Sequence, residues 1–136
     1  MDDFTVEAYN NILMQDDASS SYGFIVTDQA AGNVVSNYNN LYNADHLYGD
    51  DGNLVPEGLS DLSEDPLFVS PDFGYVLRKG SPCIDAGDNA VAGLPLVDYS
   101  GNPRIMDGDD DEIAIVDLGA RELGNSYEFI FPIFFR

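Results

Sequence analysis

Tyr9-Asn10-Asn11-Ile12 recurs as Tyr38-Asn39-Asn40-Leu41, an offset of 29 positions. Between the two copies stand Tyr22-Gly23-Phe24-Ile25-Val26 and Val34-Val35. These apolar runs are too short for ordinary helices, and Asn, Asp, Ser and Gly bound them as they bound strands. Self-similarity at a period of about 20–50 residues marks a solenoid or array. A parallel β-helix satisfies this pattern. Each coil contributes short strands facing inward, and the turns between them need left-handed backbone, which Asn tolerates better than most residues. Asn at one position of successive coils can also stack, its side-chain amides bonding along the column. Asn11 and Asn40 are the candidates for such a ladder; the alternative is two ordinary turn asparagines.

Composition agrees with short strands and many turns. The chain has 136 residues, enough for one domain, and 44% of them are hydrophobic. Nineteen Asp, 11 Asn and 13 Gly outweigh the helix formers, so long helices and coiled coils are not expected. Sixteen Phe and Tyr argue against disorder. A net charge of -20 repels phosphate backbones and anionic membrane surfaces, so neither nucleic acid nor membrane is an expected partner. No apolar run is long enough to span a bilayer. Such a charge suits cations, above all Ca2+, which prefers oxygen ligands. The one cysteine, Cys83, excludes an intrachain disulfide and a Cys-rich zinc site. It reads as a small buried residue, because His46 is the one histidine that could activate it.

Further along the chain stand Asp65-Pro66-Leu67-Phe68-Val69 and Phe73-Gly74-Tyr75-Val76-Leu77. Gly80-Ser81-Pro82-Cys83-Ile84-Asp85-Ala86-Gly87-Asp88 follows, then Asp98-Tyr99-Ser100-Gly101-Asn102-Pro103-Arg104-Ile105 and Val116-Asp117-Leu118-Gly119-Ala120-Arg121-Glu122. This succession resembles the C-terminal end of secreted bacterial right-handed parallel β-helix proteins, over roughly residues 9–123. The resemblance implies an all-β, right-handed parallel β-helix of few coils with a loop-rich C-terminal segment. It implies one domain over 1–136, with coils in 1–48, the terminal coil and loops in 49–123, and an aromatic tail in 124–136. It also implies an extracellular or cell-surface setting. Met1-Asp2-Asp3 starts acidic and shows no signal peptide, which fits a fragment whose export signal lies upstream. Arg121 departs from the pattern, standing where an aromatic is common.

The sharpest chemical feature is Asp107-Gly108-Asp109-Asp110-Asp111-Glu112. Asp107, Asp109 and Asp111 have the alternate spacing of the first half of a calcium loop, in which side chains of a tight turn converge on one ion. The pattern then breaks, with Glu112 where Gly belongs and Leu118 where a bidentate Glu belongs, so this is no EF-hand. Asp117 is the candidate for a late ligand. Two readings stand: a loose calcium turn of Asp107, Asp109, Asp111 and Asp117, or a solvated acidic hairpin loop. A second group, Asp85, Asp88 and Asp98, reads as turn-capping, with calcium the weaker reading. Arg104 is expected to pair with a carboxylate such as Asp98 or Asp85.

Three functions fit. The favoured one is a non-catalytic structural or binding unit of an exported β-helix protein, calcium-stabilised and presented to glycans or a cell surface. A polysaccharide lyase-like enzyme needs Arg or Lys in a groove, and Arg78, Lys79, Arg104 and Arg121 are scattered. An interaction module would associate as a homodimer through the aromatic tail, residues 125–136, which is otherwise an exposed apolar patch.

Overall fold

A computed structural model describes residues 5–14, 22–24, 34–43, 46–48 and 58–124. The aromatic tail therefore lies outside the described residues, as do most of the acids before residue 58. The first half holds six short strands: β1 (Val6–Tyr9), β2 (Ile12–Met14), β3 (Tyr22–Phe24), β4 (Val34–Asn37), β5 (Asn40–Tyr42) and β6 (His46–Tyr48). They form three two-stranded pairs, β1–β4, β2–β5 and β3–β6, all parallel. Among the described residues these pairs do not join into a closed sheet.

The register is the informative quantity. Val6 faces Val34 and Ile12 faces Asn40, the same step of 28 residues in two successive pairs. Tyr22 faces His46, a step of 24. A third layer begins at Leu62, which bridges Asn40 in parallel; Leu41 N donates to Leu62 O and Leu62 N to Asn39 O. The spatial step is one residue shorter than the 29 of the sequence repeat. The reason is visible at the corners. Asn10 and Tyr38 both turn the chain with left-handed backbone, at φ 59° and 55°, so the matching corners are Asn10 and Tyr38 rather than the two tyrosines.

The one-residue difference also corrects the asparagine ladder. Asn11 Nδ2 donates to Asn39 Oδ1 at 2.9 Å, and Asn11 N donates to the same oxygen at 3.1 Å. Asn40 instead turns inward: its Nδ2 donates to Glu64 O and to Cys83 Sγ, and its Oδ1 accepts from Glu64 N. Asn39 is wholly buried, with Nδ2 within bonding distance of Ala8 O, Ser36 Oγ and Asn37 O. One side chain thus ties two layers together at a corner where backbone groups lack strand partners.

Residues 58–124 are turns and loops. One 3-10 turn (Pro71–Phe73) interrupts them, and three isolated antiparallel bridges pin them: Phe68 with Leu77, Val97 with Pro103 and Met106 with Ile115. They bond to the strands at Asn10 and at Asn40 of β5. Leu77, Cys83 and Leu118 are buried there, and Ile12, Tyr38, Leu62 and Phe68 pack on them. Gly119 N donates to Asn10 O and Asp88 N to Asn10 Oδ1, so the loops bond directly to a strand corner.

Replacing Asn39 by Ala strands several buried groups at once. The expected loss is about 1–3 kcal/mol, the cost of unsatisfied buried polar groups. The partly exposed end of the ladder should be less sensitive, so Asn11→Ala is expected to cost less. Thermal melting of both variants checks the order; a larger loss for Asn11→Ala would remove Asn39 from its anchoring role.

Candidate metal site and the buried acid network

Two acidic groupings emerge, and they differ in kind. In the first, carboxylate oxygens of Asp85, Asp107 and Asp109 all lie within 4.8 Å of one another. Oxygens that bind Ca2+ sit about 2.3–2.6 Å from it, so three ligands of one ion fall within such a span. Gly108 makes the approach possible. A Cβ there would lie 2.6 Å from Leu123 O and 2.7 Å from Ile84 Cγ2, and the Gly108 N–H donates to Asp85 Oδ2 at 2.9 Å. Burial, and then the Asp109 charge against bonds from Gly108 and Ile115 N–H, pushes the Asp85 carboxyl up.

The loop holds its own shape. Asp107 accepts from Asp110 N and Glu112 N, Asp109 from Asp111 N, and Asp111 from Ile113 N. Asp110 and Glu112 both stand at φ 71°, which lets the acidic run double back. Lys79 Nζ meets Asp110 Oδ2 at 3.0 Å on the exposed side, a pair of small energetic weight.

Of the four residues that sequence spacing selected, the structure brings Asp107 and Asp109 together in one cluster. Asp111 lies outside it, with its carboxylate capping Ile113 N. Asp117 also lies outside it, buried and accepting from Asp85 N and Leu123 N. The third member is Asp85, brought from the preceding segment. Its signal was present in the second acidic group, but only the tertiary fold joins it to the 107–112 run. The other members of that group serve as turn caps: Asp88 accepts from Ala90 N, and Asp98 from Ser100 N and Asn102 N.

The second grouping is Asp98, Asp117 and Glu122 around Arg104. Arg104 Nη1 lies 2.7 Å from Glu122 Oε1, and both side chains are buried. That oxygen has no partner of hydrogen-bond geometry among the described residues, so the contact is a close ion pair rather than a directed bond. Arg104 Nη1 and Nη2 donate to the carbonyls of Gly119 and Asp117. The carboxylates in turn collect backbone N–H groups. Asp117 accepts from Asp85 N and Leu123 N, Glu122 from Asp117 N, and Asp98 from Glu122 N. Arg104 thus pairs with Glu122 rather than with Asp98 or Asp85.

Burial dominates the titration of this network. It pushes Glu122 up to about 8 against the bond from Asp117 N–H and the pull of Arg104, with the Asp117 charge adding to the rise. Burial likewise pushes Asp117 up to about 6, against bonds from Asp85 and Leu123 N–H. Burial would raise Asp98 too, but four hydrogen bonds, led by that from Glu122 N–H, outweigh it and hold Asp98 below its ordinary value.

Cys83 is wholly buried, and burial raises its thiol pKa. Arg104 is committed to Glu122 and the carbonyls around it. No described helix is long and apolar enough to cross a membrane. No family model matches the chain, and no curated protein or solved structure matches it.

The raised pKa values carry a sign. An acid whose pKa is higher folded than unfolded holds a proton that the unfolded chain has released, so folding weakens as pH rises through that window. For Glu122 the window runs from 4.5 to about 8. Stability is expected to fall across it. General repulsion among 25 acids acts in the same direction, so the decisive measurement is a difference. Glu122→Gln should flatten the slope of unfolding free energy against pH relative to the wild type. Parallel slopes would show that Glu122 titrates normally. Arg104→Met leaves Glu122 unpaired and is expected to cost about 3–5 kcal/mol at pH 8, and less at pH 5, where Glu122 is neutral.

Proposed function

We propose that this chain is the closing, non-catalytic unit of an exported right-handed parallel β-helix protein, stabilised by calcium bound at Asp85, Asp107 and Asp109. The observation that carries the reading is the parallel pairing of short strands at a repeated step of 28 residues, with a third layer starting at Leu62. Among the described residues, left-handed corners at Asn10 and Tyr38 join β1 to β2 and β4 to β5 with no helix between them. In this reading the turns and loops of residues 58–124 supply the cover that a coil end needs. β1 pairs only with β4 among the described residues, which leaves its other edge available to a preceding coil. The ordered motifs of residues 65–122 support the family resemblance, and with it an extracellular setting and a cell-surface or glycan partner.

Calcium suits that setting. Three carboxylates on an ordered turn are a modest ligand set, in keeping with extracellular modules that bind at about 10^-4–10^-3 M. Extracellular placement, export and the identity of the ion all belong to this proposal.

Two experiments test its parts. In melts with about 10 mM Ca2+ against chelator, the ion is expected to raise stability by about 1–3 kcal/mol, the linkage value for ligand well above its Kd. Asp107→Asn combined with Asp109→Asn should abolish the gain; equal melting temperatures for the wild type in both buffers would remove calcium. For the coil-closing role, an extra copy of residues 6–33 placed ahead of Val6, which keeps the 28-residue step, should raise the melting temperature, because neighbouring coils add interface energy. A melting temperature that stays put or drops would show that β1 is a true edge.

A further inference from the structure

Outside both acidic groupings lies a cleft of about 640 Å3, within the roughly 300–1,000 Å3 range of small-ligand sites. Ile12, Leu77 and Leu118 contribute apolar surface to it, and Phe68, Tyr75 and Tyr99 contribute aromatic walls. Phe68 and Tyr75 meet edge to face at 5.3 Å, which fixes one wall. The tyrosines nevertheless remain open, Tyr75 at 54% and Tyr99 at 79% exposure.

Arg121 reaches across this cleft. Its Cζ stands 5.2 Å from the Tyr99 ring centroid, at cation–π distance. Its Nη2 runs against Gly74, where a Cβ would lie only 2.8 Å away and where φ is +73°. A side chain at position 74 would displace the guanidinium. Among the described residues, no carboxylate lies within 4.0 Å of Arg121 and none of its N–H groups donates to an acceptor. Lys79 and Arg104 both have acid partners, so scarcity of acids in a chain of 25 does not explain the difference.

A guanidinium held open over aromatic faces has a specific complement. Its planar fork matches a carboxylate bidentately. Tyrosine faces take apolar C–H surface while their hydroxyls and the surrounding backbone take polar groups, and a pyranose ring offers both. The overall charge of -20 opposes an extended polyanion. It opposes a single carboxylate far less, because charges beyond about 8 Å are largely screened at physiological salt. We propose that this cleft binds a carboxylate-bearing sugar unit, its ring stacked on Tyr99 or Tyr75 and its carboxylate held by Arg121. The site does not depend on the coil-closing role or on calcium.

The test is an NMR titration of the 15N-labelled full chain with methyl glucuronoside and with methyl glucoside, which share a ring and differ in the carboxylate. The glucuronoside is expected to shift Gly74, Tyr75, Tyr99 and Arg121 amides and to bind at least about tenfold more tightly, the weight of one charge-assisted pair. Arg121→Gln should erase the preference, and Tyr99→Ala, at an exposed position, should weaken glucuronoside binding without unfolding the chain. Equal affinity for the two sugars, or a preference that survives in Arg121→Gln, overturns the proposal. So does a wild type that binds neither; if Arg121→Gln then shifts resonances of residues 125–136, the occupant is the chain's own tail.

Discussion

The loop half of this molecule is organised by one buried guanidinium. Arg104 would be intolerably costly inside a protein without compensation, and it draws Glu122 to within 2.7 Å. Glu122, Asp117 and Asp98 then each accept backbone N–H groups from the segments around them, so three stretches with little regular secondary structure share one polar centre. In a chain of turns, where ladders are short, these charged caps replace the hydrogen bonds that a sheet would supply. The same burial that makes the centre cohesive makes it sensitive to pH. Burial above all raises the Glu122 and Asp117 carboxyls, and at Glu122 the nearby Asp117 charge adds to the rise.

The strand half is organised differently. There the backbone pairs with itself in parallel, and the corners need the help. Asn39 supplies it by bonding to Asn11 on one layer and to carbonyls near β1 and β4. The two halves meet at Asn10, whose carbonyl and side chain bond to Gly119 and Asp88. The Asp-rich composition thus divides into three uses. Most described aspartates cap turns, a few hold the buried centre, and Asp85, Asp107 and Asp109 gather their carboxylate oxygens within 4.8 Å of one another while also capping backbone N–H groups.

Much of this was legible beforehand, for identifiable reasons. The short apolar runs Tyr22-Gly23-Phe24-Ile25-Val26 and Val34-Val35 read as strand rather than helix, because so short a run cannot make a helix worth burying, and strands stand at Tyr22–Phe24 and Val34–Asn37. The repeat was readable too, but its step was off by one. Matching letters align Tyr9 with Tyr38, whereas the chain aligns its left-handed corners, Asn10 with Tyr38, and a tyrosine is an improbable corner residue to anticipate. At the acidic run, spacing alone put Asp107 and Asp109 together. It could not exclude Asp111, whose carboxylate was captured by a neighbouring N–H, nor recruit Asp85.

Sequence by itself determined the local grammar: short strands, turns at Asn, Asp and Gly, a single cysteine, and a net charge of -20. These depend on backbone preference and on solvation, which act residue by residue. Tertiary structure alone decided which carboxylate faces which partner. Asp117 and Asp111 have nearly the same chemistry, yet one is buried against backbone amides beside Arg104 and the other caps an exposed turn. Arg104 and Arg121 are likewise the same residue type, one neutralised in the interior and one spread over Tyr99 in an open cleft. Burial and proximity between distant segments set those outcomes, and neither is a property of any short stretch of chain.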